Sequence, residues 1–467
     1  MNDYTPTGVP FMNYIITQEL GKTAQQFNKK REAIVERVFP DHSIPFDLEI
    51  LLSALSGDSP SHALNVVTVS KPPHSTAPDL QSPPVEPGPV KPQRSYHWTE
   101  VPDLATPGGA GVREAEVATY FNKLAQKIIR LEKYAKSLVV LRTEFTAFYC
   151  SNAICHTPGK TLKNSTMDRK PDVTGIKPFT NGNIDALAPE DITWLLVRLI
   201  LELKCGILEK FNFFNNIHVD ICGEGYLIFA EQINRRFIIT VSLYQYNMYF
   251  GLITRAGVLY IKCFHINNRP KLFLRIVLGI MFADDVFLGY DPTMHIERDG
   301  TGTLFVRDRK LRIKRQAFRN CVIRGRATTI LICEMDEEDA DGKKRTITVA
   351  VKDTWVIKGR WRDEGHFYEK ANRLGVRNIP HLIDSWIVVV NGMEDSTENI
   401  PGFETGFEIR VHRRFIFRGY GEPLSCFESK REFIYALIDA LIGAPMYIFN
   451  QDSDIDIDTP SSPRLAL

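Results

Sequence analysis

From Gly302 onward the apolar residues fall into short strand-like runs: GTLFVRDRKLRIKR, NCVIRGRATTILICEM and RTITVAVKDTWVI. One helical segment, RDEGHFYEKANRLG, follows, and then two more strands, DSWIVVVNG and FEIRVHRRFIFRG. Five strands with one helix inserted after the third restrict this part of the chain to a small α+β unit built on one sheet.

Upstream the chain reads differently. Between Tyr14 and Ser56 apolar residues recur at helical spacing, which predicts a helical N-terminal segment over 1–70. Residues 71–111 carry ten of the 27 prolines together with Ser, Thr and Gly, the composition of a disordered tether. After Val112 the run REAEVATYFNKLAQKIIRLEKYAKSLVVL is an amphipathic helix, and strand-like pieces follow in TWLLVRLILELK and RRFIITVSLYQYNMYFGLITRAGVLYIKCFHI. The expected organisation is a separate α/β domain over 112–300, the five-stranded unit with its continuation over 301–445, and an acidic disordered tail over 446–467. In that tail Asp452, Asp454, Asp456 and Asp458 lack the glycine and closing glutamate of a calcium loop.

Of the 467 residues 44% are hydrophobic and 24% charged, enough to bury a core. Lys plus Arg number 57 against 56 Asp plus Glu, so no global field draws the molecule to nucleic acid or an anionic membrane. The apolar runs Ile192–Leu203 and Leu272–Phe287 are interrupted by charge and are shorter than the roughly 20 residues a spanning helix needs, so they read as core. Eight scattered cysteines, of which only Cys150 and Cys155 are close, make neither a zinc site nor a disulfide framework. With no signal-peptide pattern at the N-terminus, the expected location is intracellular, cytoplasmic or nuclear.

Val349-Ala350-Val351-Lys352 matches the V-A-I-K strand of protein kinases. The words around it, KDTW, LGVRNIPHLIDSW and VHRRFIFRGYGEPLSCFESKREFIYALIDALIG, resemble the fungal-type protein kinase family, as do RRFIITVSLYQYNMYFGLITRAGVLYIKCFHI and FLRIVLGIMFADDVFLGYDPT further upstream. The resemblance spans about Val112 to Gly443. It implies a protein kinase-like small lobe, a five-stranded antiparallel sheet plus one helix, in which Lys352 holds ATP phosphates and pairs with a glutamate of the next helix. Glu364 is the expected partner, because Phe367 and Tyr368 follow at the spacing that turns its face inward, and Glu369 is second.

The resemblance further implies a phosphate-covering turn between CVIRG and TTILICE, where Gly325 is the single glycine of Arg324-Gly325-Arg326-Ala327-Thr328. The arginines there supply charge to phosphate or simply mark an exposed tip. MDEEDADGKKR reads as a solvated hairpin tip, and FIFRGYGEPL resembles the hinge, with Gly419 and Gly421 giving it its turn. The family implies magnesium with ATP and transfer to protein Ser or Thr. No H-R-D or D-F-G text follows the hinge, so the chain reads as a C-terminally truncated member, a nucleotide-binding fragment without catalytic residues, whose uncovered lobe is unstable alone, needs a protein partner or reflects an incomplete gene product. A non-catalytic interaction module is the alternative.

A second constellation lies upstream. Pro171-Asp172 and, thirty residues on, Glu202-Leu203-Lys204 at the end of a strand are what restriction-endonuclease-like folds use to hold a divalent cation and polarise a phosphate. Glu116 on the preceding helix is an additional candidate ligand. The plainer reading is an ordinary strand end, and the absence of a basic stripe with interleaved aromatics argues against nucleic-acid binding and a working nuclease.

Overall fold

The computed structural model describes residues 25–28, 31–56, 64–69, 93–104, 112–147, 171–178, 194–205, 217–297, 299–307, 309–338, 342–359, 364–376, 378–403, 406–421 and 427–449. Cys150, Cys155, the end of the 334–344 hairpin and the acidic run from Asp452 lie outside them.

The first half contains β1 (Gln25–Asn28), α1 (Arg31–Val38), α2 (Leu48–Leu55), β2 (Leu64–Val69), β3 (Gln93–Trp98) and α3 (Val112–Ile129). Next come β4 (Glu144–Ala147), β5 (Val173–Ile176), β6 (Val197–Lys204), α4 (Val219–Glu231), β7 (Phe237–Tyr244), β8 (Asn247–Thr254), β9 (Gly257–Ile261), β10 (Phe264–His265) and α5 (Pro270–Phe282). Eight of these strands form one sheet in the order β1-β9-β8-β7-β6-β5-β4, with β10 added beside β8. Strands β4, β5 and β6 run antiparallel, whereas β6 and β7 are parallel and are joined through α4.

Alternation along the strands separates two faces. Leu199, Leu201 and Leu203 of β6 with Ile239, Val241 and Leu243 of β7 pack under α1, α2, α3 and α5. Ile200 and Ile238, one residue out of step, pack under α4 with Ile221 and Ile228. The helical N-terminal segment is therefore part of the first core: Ile34, Val38, Phe39, Leu51 and Leu55 are all buried in it. Part of the expected tether is also ordered, since β3 pairs with β2 and Trp98 meets Phe273 edge-on at 4.8 Å.

The run read as core at 272–287 is α5, in which all but Lys271 of the residues Pro270–Phe282 are buried. Phe39 lies so flat on it that a Cβ at Gly279 would stand 2.2 Å from the ring. Gly279→Ala gains helix propensity but displaces Phe39, for an expected net loss of roughly 1–2 kcal/mol, read from the urea unfolding midpoint.

The second half contains β11 (Met294–Ile296), β12 (Gly302–Val306), β13 (Arg309–Arg319), β14 (Thr329–Glu338), β15 (Lys344–Ile357), α6 (Glu364–Arg373), β16 (His381–Ile387), a small hairpin of β17 (Val389–Val390) and β18 (Met393–Glu394), β19 (Arg410–Arg418) and α7 (Lys430–Phe449). Its sheet has seven strands in the order β11-β12-β13-β14-β15-β19-β16, two more than the expected five. One of the two arises because GTLFVRDRKLRIKR is a hairpin, and the other is β11, which pairs with β12 from just upstream of the expected unit. Arg307 at φ 53 turns the hairpin without a glycine, so no turn residue marked it. The described residues are thus α+β in both halves, and no helix among them is long and apolar enough to cross a membrane.

Candidate functional site

In β15, Val349 and Val351 point to one core of the second sheet, with Leu331 and Ile416. Ala350 points to the other face, with Ile330, Phe415 and Phe417, and Lys352 follows it there by alternation. Lys352 is paired with Ile330 on one side and Phe415 on the other, and its ammonium lies 5.8 Å from the Phe415 ring centre. Helix α6 covers that face: Tyr368 meets Phe417 edge-on at 4.8 Å, and the Asn372 side-chain amide donates to the Leu382 carbonyl at 3.0 Å.

These two ties bring the first turn of α6 over β15. Lys352 Nζ donates to Glu364 Oε1, and the Arg326 guanidinium donates to Glu364 Oε2 at 2.7 Å. Lys352 is 8% exposed, and burial lowers its pKa while Glu364 acts in the opposite sense. Glu369, the second candidate, is exposed. Sequence reasoning left Arg326 as charge at a turn tip; its place beside Glu364 depends on a fold-back that spacing does not encode.

The turn around Gly325 differs from the expectation. CVIRG is not a strand: β13 ends at Arg319, and Ile323 is buried with Val258 and Tyr260 in the core on the α4 side of the first sheet. The Gly325 N–H donates to the Arg255 carbonyl at 3.1 Å, and the Arg255 guanidinium donates to the Val322 carbonyl. Docked on the turn between β8 and β9, Gly325 presents no free amide to a phosphate. The burial of Ile323 draws it there. Gly419, at φ 73, ends β19 with open space around it and bridges to Val349.

Behind Lys352, the next residue faces a buried charge network. Asp353 accepts from His412 Nε2 at 2.7 Å and from Arg414 Nε at 2.6 Å. The other His412 nitrogen is 2.9 Å from Asp395, which also accepts from Arg236 of the first half. Arg414 reaches across to Asp291 and, at 2.6 Å, to Thr293. Burial opposes charge on His412, yet Asp353 and Asp395 outweigh it and push its pKa up to about 9. Asp395, with burial outweighed by Arg236 and His412, falls to about 2. Trp355 stacks on the His412 ring, centres 4.6 Å apart.

The upstream candidates also converge. Asp172 at the head of β5 stands beside Glu202 of β6: its N–H reaches Glu202 Oε1 at 3.4 Å, and its carboxylate accepts from the Leu203 N–H at 2.7 Å. Lys204 lies 3.5 Å from Glu202 and 3.3 Å from Asp220 of α4. Burial, then Asp172, pushes the Glu202 pKa up to about 8, and Glu224 hydrogen-bonds to it. Glu116 is not brought in; it pairs with Arg113 at 2.6 Å on the surface of α3. Asp220 and Glu224 went unnoticed because their four-residue spacing reads as one face of any helix. Among the described residues no group of three or more His, Cys, Asp or Glu is arranged to hold a metal ion.

A family model described as fungal protein kinase matches residues 179–402, which include Glu202, Lys204, Lys352 and Glu364 but neither Asp172 nor Gly419. No curated protein and no solved structure matches the chain. That match, over a little under half of the chain, supports a fungal protein kinase family assignment.

Proposed function

We propose that the sheet from β13 to β19 with α6 is a kinase-type small lobe that binds ATP, with Lys352 meeting the phosphates and Glu364 holding Lys352 in place. Three strands, a helix and two strands, in the spatial order β13-β14-β15-β19-β16, agree with that reading. The observation that carries it is the pair itself: a strand lysine, nearly buried, joined to the first turn of the following helix. An exposed pair would be worth little, but one held between a sheet and a helix positions a cation for an anionic ligand. The apolar side chains of Ile330, Ala350 and Phe415 beside it suit a flat heteroaromatic ring.

Gly325 is left out of this site because its amide is occupied, and Gly419 keeps the hinge role. Magnesium is assigned no ligand: Glu364, the carboxylate on Lys352, already lies between Lys352 and Arg326. The reading is therefore nucleotide binding within the fungal protein kinase family, with transfer to Ser or Thr as the family's activity.

A ligand that binds only the folded state adds about 2.7 kcal/mol of stability at a hundredfold excess over its dissociation constant. ATP should accordingly raise the melting temperature of the wild type by several degrees, and Lys352→Ala should abolish the rise while leaving the fold intact. A second reading, a protein partner on the lobe, is supported by Ile434, Tyr435, Leu437 and Ile438, all exposed on α7. Under it ATP shifts neither protein.

A further inference from the structure

Positive charge is in excess at Lys352. Glu364 is one carboxylate between two cations, accepting from Lys352 through Oε1 and from the Arg326 guanidinium through Oε2. The pair of Lys352 and Glu364 is neutral, so by itself it offers an anionic ligand a position but no net attraction. With Arg326 the group carries one uncompensated positive charge. Burial lowers the Lys352 pKa, and Arg326, as a second cation close by, lowers it further against the pull of Glu364.

Two observations separate this arginine from one at an ordinary hairpin tip. The first is how its main chain is held. The Arg326 carbonyl accepts from the Trp355 N–H at 2.7 Å and from the Thr354 hydroxyl at 3.2 Å, both on β15 just beyond Lys352. One residue earlier, the Gly325 N–H is tied to the Arg255 carbonyl of the first half. The turn is thus fastened on two sides, and its side chain starts from a fixed place, the preorganisation that an anion site needs.

The second observation is what the side chain keeps available. Nη2 serves Glu364 at 2.7 Å, yet the Arg326 side chain is 52% exposed whereas that of Lys352 is 10% exposed. A guanidinium has five N–H groups, so donors remain open to a ligand beside the lysine. The Gly325 amide does not, because Arg255 occupies it, and the turn cannot cradle phosphate through that backbone group. What the same turn brings to Lys352 instead is a cation.

On the ATP reading of this site, on which this inference rests, we propose that Arg326 is a second phosphate-binding residue, its guanidinium standing in for the backbone amides of a glycine-rich turn. The site then recognises nucleotides chiefly by their phosphates. A guanidinium meets phosphate oxygens through two parallel N–H groups, with more directional preference than a lone ammonium. Glu364 holds the two cations together, which would otherwise repel, and each keeps further donors for the ligand.

The test is displacement of a fluorescent ATP analogue from the full chain by ATP and by adenosine, at low salt and without magnesium. Arg326→Ala should weaken ATP about tenfold or more, the loss of a charge-assisted contact, and leave adenosine unchanged. Arg326→Lys should recover only part of the loss, since a point charge does not reproduce the fork. The same factor should recur when Arg326→Ala is added to Glu364→Ala, because direct contact with phosphate does not need the carboxylate; a residue that only steadied Glu364 would lose its effect there. Circular dichroism checks that each variant folds, and Arg326→Lys, which keeps the ion pair, supplies a second reading of the same contact. Arg326→Ala protein that binds ATP as well as wild type, or that loses ATP and adenosine equally, overturns the proposal and leaves the Lys352 reading standing. So does a loss that vanishes beside Glu364→Ala. Wild type that binds no ATP ends both.

Discussion

Replacing Arg414 by alanine should cost roughly 3–5 kcal/mol of stability, the size expected when one partner is removed from a buried ion pair. Arg414 is fully buried and holds Asp353 of its own sheet together with Asp291, on the segment that follows α5. Alanine leaves both carboxylates facing a cavity, with only His412 still beside Asp353. Arg414→Lys restores one charge but not the forked geometry that reaches two acids and Thr293 at once, so it should recover only part of the loss. Urea unfolding of the two variants against wild type gives the comparison. A change below about 1 kcal/mol for Arg414→Ala would show that the network contributes little.

The second large effect is a dependence on pH. His412 has a folded-state pKa of about 9, above the ordinary value near 6.5 that it regains on unfolding. Its contribution is complete below the ordinary value, declines above it, and is gone once pH has risen through the folded value. The difference corresponds to on the order of 3 kcal/mol. Glu202 acts in the same sense at lower pH: its pKa is raised, so the unfolded chain ionises first and stability falls from about pH 4.5 toward 8. Unfolding free energies measured from pH 6 to 10 should therefore decline for the wild type, and His412→Asn should flatten the part above pH 7. An unchanged slope in that variant would remove His412 as the cause.

The buried network also explains why the two sheets hold together. Arg236 of the first half meets Asp395, Asp291 meets Arg414, and the turn at Ile400–Phe403 inserts into the first core, where a Cβ at Gly402 would stand 2.2 Å from Leu259. The Gly325 turn docks in the opposite direction, onto Arg255. Displacing the lobe would expose buried charge and apolar surface together, so the two halves should unfold as one unit.

Local features of this fold were legible in the sequence. The helix from Val112, the strand that ends at Lys204 and the helix after Lys352 each follow from the spacing of their apolar residues. The pairing of Lys352 with Glu364 was legible too, because strand and helix are joined by a short connection and Tyr368 fixes the helix face. What escaped depends on distance along the chain. Asp291, Asp353, Asp395, His412 and Arg414 come together only once two sheets have formed, and each alone is an ordinary polar residue on a strand or loop. Gly325 escaped for a related reason, since Ile323 finds its core in the other half. The hairpin between β12 and β13 escaped because Arg307 adopts a left-handed conformation that its side chain does not announce.

The most direct test of the nucleotide site is equilibrium binding of ATP to the full chain, measured for wild type, Lys352→Ala, Glu364→Ala and the double variant. If the buried pair acts as one device, either single change should weaken binding at least tenfold and the double should be little worse than Lys352→Ala, because Glu364 acts only through the lysine it holds. Wild-type protein that does not bind ATP, or Lys352→Ala protein that binds it equally well, would contradict the assignment.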